Sequence, residues 1–156
     1  MKHDPEMAGA FPVGAVEQVS ALDAMMVACL RIWFDGPEGP MQVDDLLRRH
    51  VTAATADRCL PLLETVFRLL VSHGRRPLIR HQPGCQCLGA DEAVFAHFVN
   101  VAAMGEREDA MLIASLMVEG PALLPLTEAA GLLGLHLHRA VTRQGPIAAP
   151  PDVTLH

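Results

Sequence analysis

The stretch from Ala24 to Phe34 constrains the fold more than any other, because Arg31 is its only charged residue. A helix that is apolar on nearly all sides belongs in the centre of a protein, since no face of it is suited to water. The rest of the chain must therefore supply elements that surround it. Hydrophobic residues make up 51% of the sequence, but aromatic residues only 4%. We expect Leu, Val, Ala and Met to build the core.

Helical spacing of apolar residues covers most of the chain, in segments that glycine and proline separate. No strand pattern or internal repeat is evident. The sequence predicts an all-α, single-domain helical bundle of about five to seven helices. Their expected starts are at Pro12, with a second start or a continuation near Ser20, and then near Met41, Thr55, Asp91, Glu106 and Ala122. Gly131 and Gly134 in the last helix predict the close approach of a neighbouring helix.

A chain of 156 residues is long enough for one domain with a proper core. We expect residues 1–10 to be a flexible N-terminus, residues 11–144 to be the helical domain, and residues 145–156 to be a flexible tail. The first residues lack the apolar run of a secretory signal, and no run approaches the roughly 18–20 residues of a membrane span. These features predict a cytoplasmic protein without a membrane partner.

Charge and cysteine content limit the function classes further. The formal net charge of −6 disfavours nucleic acid, whose binding partners normally carry a basic face. In a cytoplasmic protein the four cysteines are expected to be reduced thiols or metal ligands. Cys29 and Cys59 lie in apolar helical surroundings and are expected in the core. The sequence indicates no partner beyond a possible homodimer.

Residues 74–90 show no helical pattern, and few structureless connections exceed roughly 12–15 residues unless they are functional or disordered. Leu78, Ile79 and Leu88 suggest that this loop packs and is ordered. Gly74 is expected to end the preceding helix in the left-handed conformation. Asp91 and Glu92 are expected to begin the next helix, where the helix dipole favours carboxylates.

The cysteines and histidines of this loop predict a structural zinc site. Cys85 and Cys87 are two residues apart, and thiolate and imidazole are the ligands that tetrahedral zinc prefers. His81, His97 and His73 are the candidates for the remaining ligands. Zinc is the one cofactor that the sequence suggests, in a helical binding or interaction protein. Inert thiols, buried or exposed, are the commoner explanation of the same residues.

A thiol-based redox sensor or enzyme that uses Cys85 or Cys87 is the first alternative, since nearby positive charge makes a thiol more reactive. A metal-free helical dimerisation module is the second. The sequence contains no nucleophile-elbow, phosphate-loop or zinc-protease motif, so the balance leans towards a protein that is not an enzyme.

Three arginines, Arg75, Arg76 and Arg80, make this loop basic in an acidic chain. An anion site is one reading, because arginine side chains bind phosphate and carboxylate groups. We favour the alternative that they pair with Asp91 and Glu92 or cap the carbonyls that end the preceding helix.

The runs His73-Gly-Arg-Arg-Pro-Leu and Gly84-Cys-Gln-Cys-Leu-Gly-Ala-Asp-Glu92 resemble a small bacterial all-helical family with no assigned function. The resemblance extends from about Asp35 to the last expected helix. It implies a bacterial, cytoplasmic helical protein, and it carries no activity, cofactor or site residue.

Overall fold

A computed structural model of the protein describes residues 9–143, except for the side chain of Arg143. The predicted C-terminal tail and nearly all of the predicted flexible N-terminus lie outside these residues. Within them the chain forms six α-helices, a short 3₁₀ turn at Val16–Gln18 and one two-stranded antiparallel sheet. The helices are α1 (Ala21–Trp33), α2 (Gly39–His50), α3 (Ala53–His73), α4 (Ala90–Ala103), α5 (Arg107–Ala114) and α6 (Gly120–Arg143), and the strands are β1 (Pro12–Ala15) and β2 (Cys87–Gly89). The predicted all-α fold is confirmed.

Helix α1 is central, as its composition predicts. It begins at Ala21, where the Ser20 hydroxyl accepts a hydrogen bond from the backbone N–H of Asp23 at 3.1 Å. It packs against α2, α4 and α6. Its core residues Met26 and Leu30 are buried, and so is its one arginine, Arg31, which is 2% exposed. The buried charge requires a buried partner.

Helices α4 and α6 pack closely, and the two glycines of α6 make this possible. A Cβ added to Gly134 would lie 2.7 Å from the Cβ of Ala103, and one added to Gly131 would lie 3.1 Å from the carbonyl oxygen of Ala102. The prediction of a close helix approach at these glycines is confirmed.

No helix within residues 9–143 combines the length and the apolar character that crossing a bilayer requires.

The prediction of a helix that starts at Pro12, in a chain without strands, is wrong. Residues 12–15 form β1, whose partner β2 directly follows the loop of residues 74–86 that begins after α3. Pro12 pairs with Gly89 and Ala15 with Cys87. The spacing of Val13 and Val16 fits a helical turn. These residues form a strand instead because β2, which is distant in sequence, supplies the backbone hydrogen bonds, and a local pattern does not reveal such a partner.

Gly74 does not adopt the predicted left-handed conformation. Its backbone is extended, with φ −62° and ψ 138°. It forms an isolated antiparallel bridge with Val118, and the N–H of Glu119 donates to the carbonyl oxygen of His73 at 3.0 Å. The turn between α5 and α6 therefore supplies the hydrogen bond at the end of α3, and no left-handed residue is needed there.

Candidate functional site

The connecting loop, residues 74–86 between α3 and β2, is held in place by the first turn of α4. Glu92 in this turn has no exposed surface. Its carboxylate accepts two hydrogen bonds from backbone N–H groups, from His81 at 2.7 Å and from Gly89 at 3.0 Å. It accepts two more from Arg31, through Nε at 2.8 Å and Nη2 at 2.9 Å. One buried side chain therefore joins the loop, the strand and the central helix.

Arg31 extends this network to the two cysteines of the loop. Its Nη1 and Nη2 atoms donate to the carbonyl oxygens of Cys85 and Cys87, each at 2.6 Å. Within residues 9–143 no buried side-chain nitrogen or oxygen lacks a hydrogen-bond partner. The one charge of the Ala24–Phe34 stretch thus fixes the backbone of the Cys85–Cys87 segment. A paired and fully hydrogen-bonded charge of this kind is tolerated in a core.

The electrostatics of the buried pair favour its ionised form. Burial by itself would raise the pKa of Glu92, but the hydrogen bonds from Arg31, Gly89 and His81 and the charge of Arg31 outweigh it and lower that pKa. The hydrogen bond to Glu92 raises the pKa of Arg31 against the effect of burial, and the negative charge of Glu92 adds to it.

Asp91, beside Glu92, forms a second and more exposed attachment. Its carboxylate accepts from Arg76 Nη1 at 2.7 Å and Nη2 at 2.9 Å, and from the backbone N–H of Ile79 at 2.7 Å. The favoured prediction of pairing with an acid is confirmed for Arg76. Arg75 donates to the carbonyl oxygen of Ser115 at the end of α5.

Arg80 donates to the carbonyl oxygen of Phe34 at the end of α1. Arg75 and Arg80 therefore do cap helix ends, but those of α5 and α1 instead of the expected preceding helix. The tertiary fold brings these other helix ends within reach of the loop, which local sequence order does not show.

The loop brings His81 and Cys85 into contact, with 3.8 Å between the Nδ1 and Sγ atoms. The other ring nitrogen, Nε2, lies 3.1 Å from the carbonyl oxygen of Ala10. Because a carbonyl oxygen only accepts, this contact places the hydrogen on Nε2 and leaves Nδ1 as an acceptor facing the thiol. Gly89 makes room for the ring, since a Cβ there would lie 3.0 Å from it. The arrangement is an oriented thiol–imidazole pair.

The other predicted zinc ligands do not complete a metal site around this pair. Cys87 is exposed, and His97 is an exposed residue on α4. His73 lies half-buried at the end of α3. In the part of the chain that the structure describes, no group of three or more His, Cys, Asp or Glu residues is placed to hold a metal ion. Of the five predicted ligands, His81 and Cys85 are the two whose side chains lie within hydrogen-bond contact of each other.

The two remaining cysteines are in the core, as predicted. Cys29 and Cys59 are both buried with no exposed surface. Burial raises the pKa of Cys59 to about 11. Burial, together with the charge of Cys59, raises the pKa of Cys29 to about 12. Both thiols are therefore protonated and unreactive in the folded protein, which leaves Cys85 and Cys87 as the accessible thiols.

Sequence reasoning missed the ion pair that organises this region. Arg31 is the one charge in the apolar stretch Ala24–Phe34, and that signal implies a buried acid elsewhere. Glu92 is expected either at a helix start, where the helix dipole favours it, or paired with an arginine of the loop, and neither expectation points to Arg31. The pairing across 61 positions becomes visible only when the chain is folded.

Comparison of the chain with protein-family models, with curated proteins and with solved structures found no match. The functional argument therefore depends on the geometry of the connecting loop and on the chemistry of the side chains that it presents.

Proposed function

We propose that the protein is a thiol-based sensor of hydroperoxides, in which Cys85 is the reacting group and His81 its base. The single observation that supports this is the contact between Cys85 and an imidazole whose other nitrogen is bound to a backbone carbonyl. Nucleophilic cysteines use a base oriented in this way by a third group. The pair lies on a backbone that Arg31 and Glu92 hold in place, so its geometry is built before any oxidant arrives.

The proposed step is a two-electron oxidation of one sulfur atom. The Cys85 sulfur attacks an oxygen of the hydroperoxide as its thiol proton moves to Nδ1 of His81. The O–O bond breaks, and the leaving oxygen takes that proton and departs as water or an alcohol. Cys85 becomes a sulfenic acid. One external thiol condenses with it to a mixed disulfide and releases water, and another thiol then reduces this disulfide and restores the Cys85 thiol.

The same contacts supply a route from the sulfur to the rest of the fold. His81 contacts Ala10 through Nε2, and Ala10 precedes β1. An added oxygen on Cys85 must be accommodated against the ring of His81, which changes the contact between this ring and Ala10. We propose that the signal is a shift of the residues ahead of β1. A cytoplasm, where thiols are kept reduced, is the compartment that suits such a sensor.

The test compares the rates at which the two accessible cysteines form sulfenic acid. Folded protein is treated with limiting hydrogen peroxide and dimedone, and the labelled peptides are quantified by mass spectrometry. We expect Cys85 to be labelled before Cys87, although Cys87 is the more exposed. His81→Gln should slow the labelling of Cys85 by at least about tenfold, because the base is lost.

His97→Gln is the matched control, since it removes an exposed histidine of α4 and should leave the rate unchanged. Faster labelling of Cys87 than of Cys85 would exclude the proposal. So would an unchanged rate in His81→Gln, provided that circular dichroism shows the variant to be folded.

A structural zinc site is the second candidate function for the same residues, in a bacterial binding or interaction protein. The facing Nδ1 of His81 and Sγ of Cys85 are donors of the type that zinc prefers. Cys87 is the nearest further sulfur in sequence, and His97 and His73 are the other candidates. Elemental analysis of protein purified without added metal decides between the two: a zinc content near one ion per chain supports this candidate, and less than one ion per several chains excludes it.

A further inference from the structure

An apolar cavity lies on the side of the connecting loop that faces α1 and α3. Its volume is about 260 Å³. Leu30 of α1, Phe34 just after it, Leu70 and Val71 of α3 and Leu78 of the loop contribute to its apolar wall, and Arg76 and Arg80 are its charged lining residues. Ligand sites in proteins share this composition, with mostly apolar walls and a few polar groups that orient the ligand.

The two arginines differ in how their charges are compensated. Arg76 is paired with Asp91 through two hydrogen bonds. Arg80 has no carboxylate within ion-pair distance among residues 9–143. Its Nη2 donates to the carbonyl oxygen of Phe34, and its guanidinium carbon lies 5.4 Å from the centre of the Phe34 ring. The cavity therefore carries one uncompensated positive charge, whose side chain is held by two contacts.

The donors that remain on Arg80 point to the kind of group that would compensate it. A guanidinium has five N–H donors in a planar fork, and the bond to Phe34 uses one of them. A carboxylate matches two donors of such a fork and forms short, charge-assisted hydrogen bonds with them. The apolar wall beside it excludes a fully polar anion, because burying that surface against a small inorganic ion gains nothing.

We propose that this cavity binds a small amphipathic carboxylate, an unbranched aliphatic acid of medium length. Its carboxylate pairs with Arg80, and its chain lies against Leu30, Leu70 and Leu78. A cavity of roughly 150 Å³ holds a ligand the size of benzene, so about 260 Å³ accommodates a chain of several more carbons. This site lies beside the Cys85–His81 pair in the loop sequence but shares none of its reacting atoms.

Octanoate is the probe, and isothermal titration calorimetry on the full chain is the measurement. Octanol has the same chain without the charge, and acetate has the charge without the chain. We expect octanoate to bind at least about tenfold more tightly than either, because each comparison compound lacks one of the two interactions. Octanol binding as tightly as octanoate would overturn the role of Arg80. No detectable binding of octanoate would overturn the proposal as a whole.

Two variants locate the binding. Arg80→Gln should weaken octanoate binding by roughly tenfold, the loss expected for a charge-assisted hydrogen-bonded pair. Arg58→Gln makes the same change in charge on an exposed residue of α3 outside the cavity, and it should bind as the unmodified chain does. Val71→Phe enlarges a cavity-lining side chain that is 69% exposed, so it should reduce binding with little effect on folding.

Octanoate binding that survives both Arg80→Gln and Val71→Phe would place the ligand elsewhere and overturn the proposal. Cys85→Ser should bind octanoate normally. It should also abolish dimedone labelling at position 85, which keeps the outcome here separate from that of the thiol proposal.

Discussion

Helix α4 is held by different chemistry at its two ends. Its first turn carries Asp91 and Glu92, which bind the connecting loop and the central helix through directional hydrogen bonds to charged groups. Its last turns lie against Gly131 and Gly134 of α6 and depend on shape alone. The contacts at the first end require ionised carboxylates, and because hydrogen bonds are directional they are lost when either partner moves. The packing at the second end does not depend on pH, but the addition of a single carbon atom to one of these glycines would disturb it.

The largest expected effect is at the charged end. Arg31→Met removes the cation and leaves Glu92 buried without a counter-charge. The free energy of unfolding should fall by about 3–5 kcal/mol, the usual cost of breaking a buried ion pair by removing one partner. Urea unfolding monitored by circular dichroism measures it. Arg48→Met, which removes an exposed arginine that pairs with Asp44 and Asp57, is the control and should cost far less.

A variant that lacks both charges separates two effects on the free energy of unfolding: the destabilisation by an unpaired buried charge and the net contribution of the intact ion pair. Arg31→Met combined with Glu92→Leu should recover part of the stability that Arg31→Met loses, since no buried charge remains. A double variant no more stable than the single one would show that the loop depends on these hydrogen bonds even without the unpaired charge.

The next effect is at the shape-dependent end. Gly134→Ala brings a Cβ to 2.7 Å from that of Ala103, and this close approach forces a helix to shift. Overpacking costs typically about 1–3 kcal/mol, and helix propensity returns less than about 1 kcal/mol of it. Thermal unfolding should show a clear decrease in stability. Gly131→Ala, whose nearest contact is 3.1 Å, should change stability much less. Equal losses would mean that the helices do not approach most closely at Gly134.

Asp91→Asn tests the more exposed attachment and should cost less. The change preserves the shape of the side chain but removes the charge that pairs with Arg76, whose side chain is 43% exposed. Solvent screens such a pair, so we expect a loss of about 1 kcal/mol. Hydrogen exchange at the Ile79 amide, which donates to this carboxylate, should become faster. Unchanged exchange there would show that Asp91 does not hold the loop.

The smallest expected effect is the pH dependence of stability above the usual carboxyl pKa. Because the folded protein lowers the pKa of Glu92, its contribution is complete above the unfolded value of 4.5 and is lost as the pH falls through the folded value. Between pH 7 and pH 4.5 the free energy of unfolding should fall by only about a few tenths of a kcal/mol because of this residue. The fall should become steeper at lower pH. Glu92→Gln should remove this contribution. If the protein became more stable on acidification, the lowered pKa of Glu92 would be contradicted.

The helices were predictable because their signals are local. Apolar spacing placed α3 and α6, and Gly131 with Gly134 marked a close helix contact. Ser20 marked either a helix start or a continuation, and the structure shows the start. The strand pairing of residues 12–15 was not predictable, since β2 lies more than 70 positions away along the chain. The candidate site was predicted in part. The loop and two of its residues, His81 and Cys85, were identified, but Arg31 and Glu92, which hold them, were not.

The sequence by itself determined that Ala24–Phe34 would be a buried helix, because eleven residues with one charge have no face suited to water. It also implied that Arg31 would need a partner. Only the tertiary structure decided which acid that partner is, and that the same guanidinium would bind the carbonyls of Cys85 and Cys87. The physical reason is that burial is a property of a segment, whereas a hydrogen bond requires two atoms from distant segments to meet within about 3 Å.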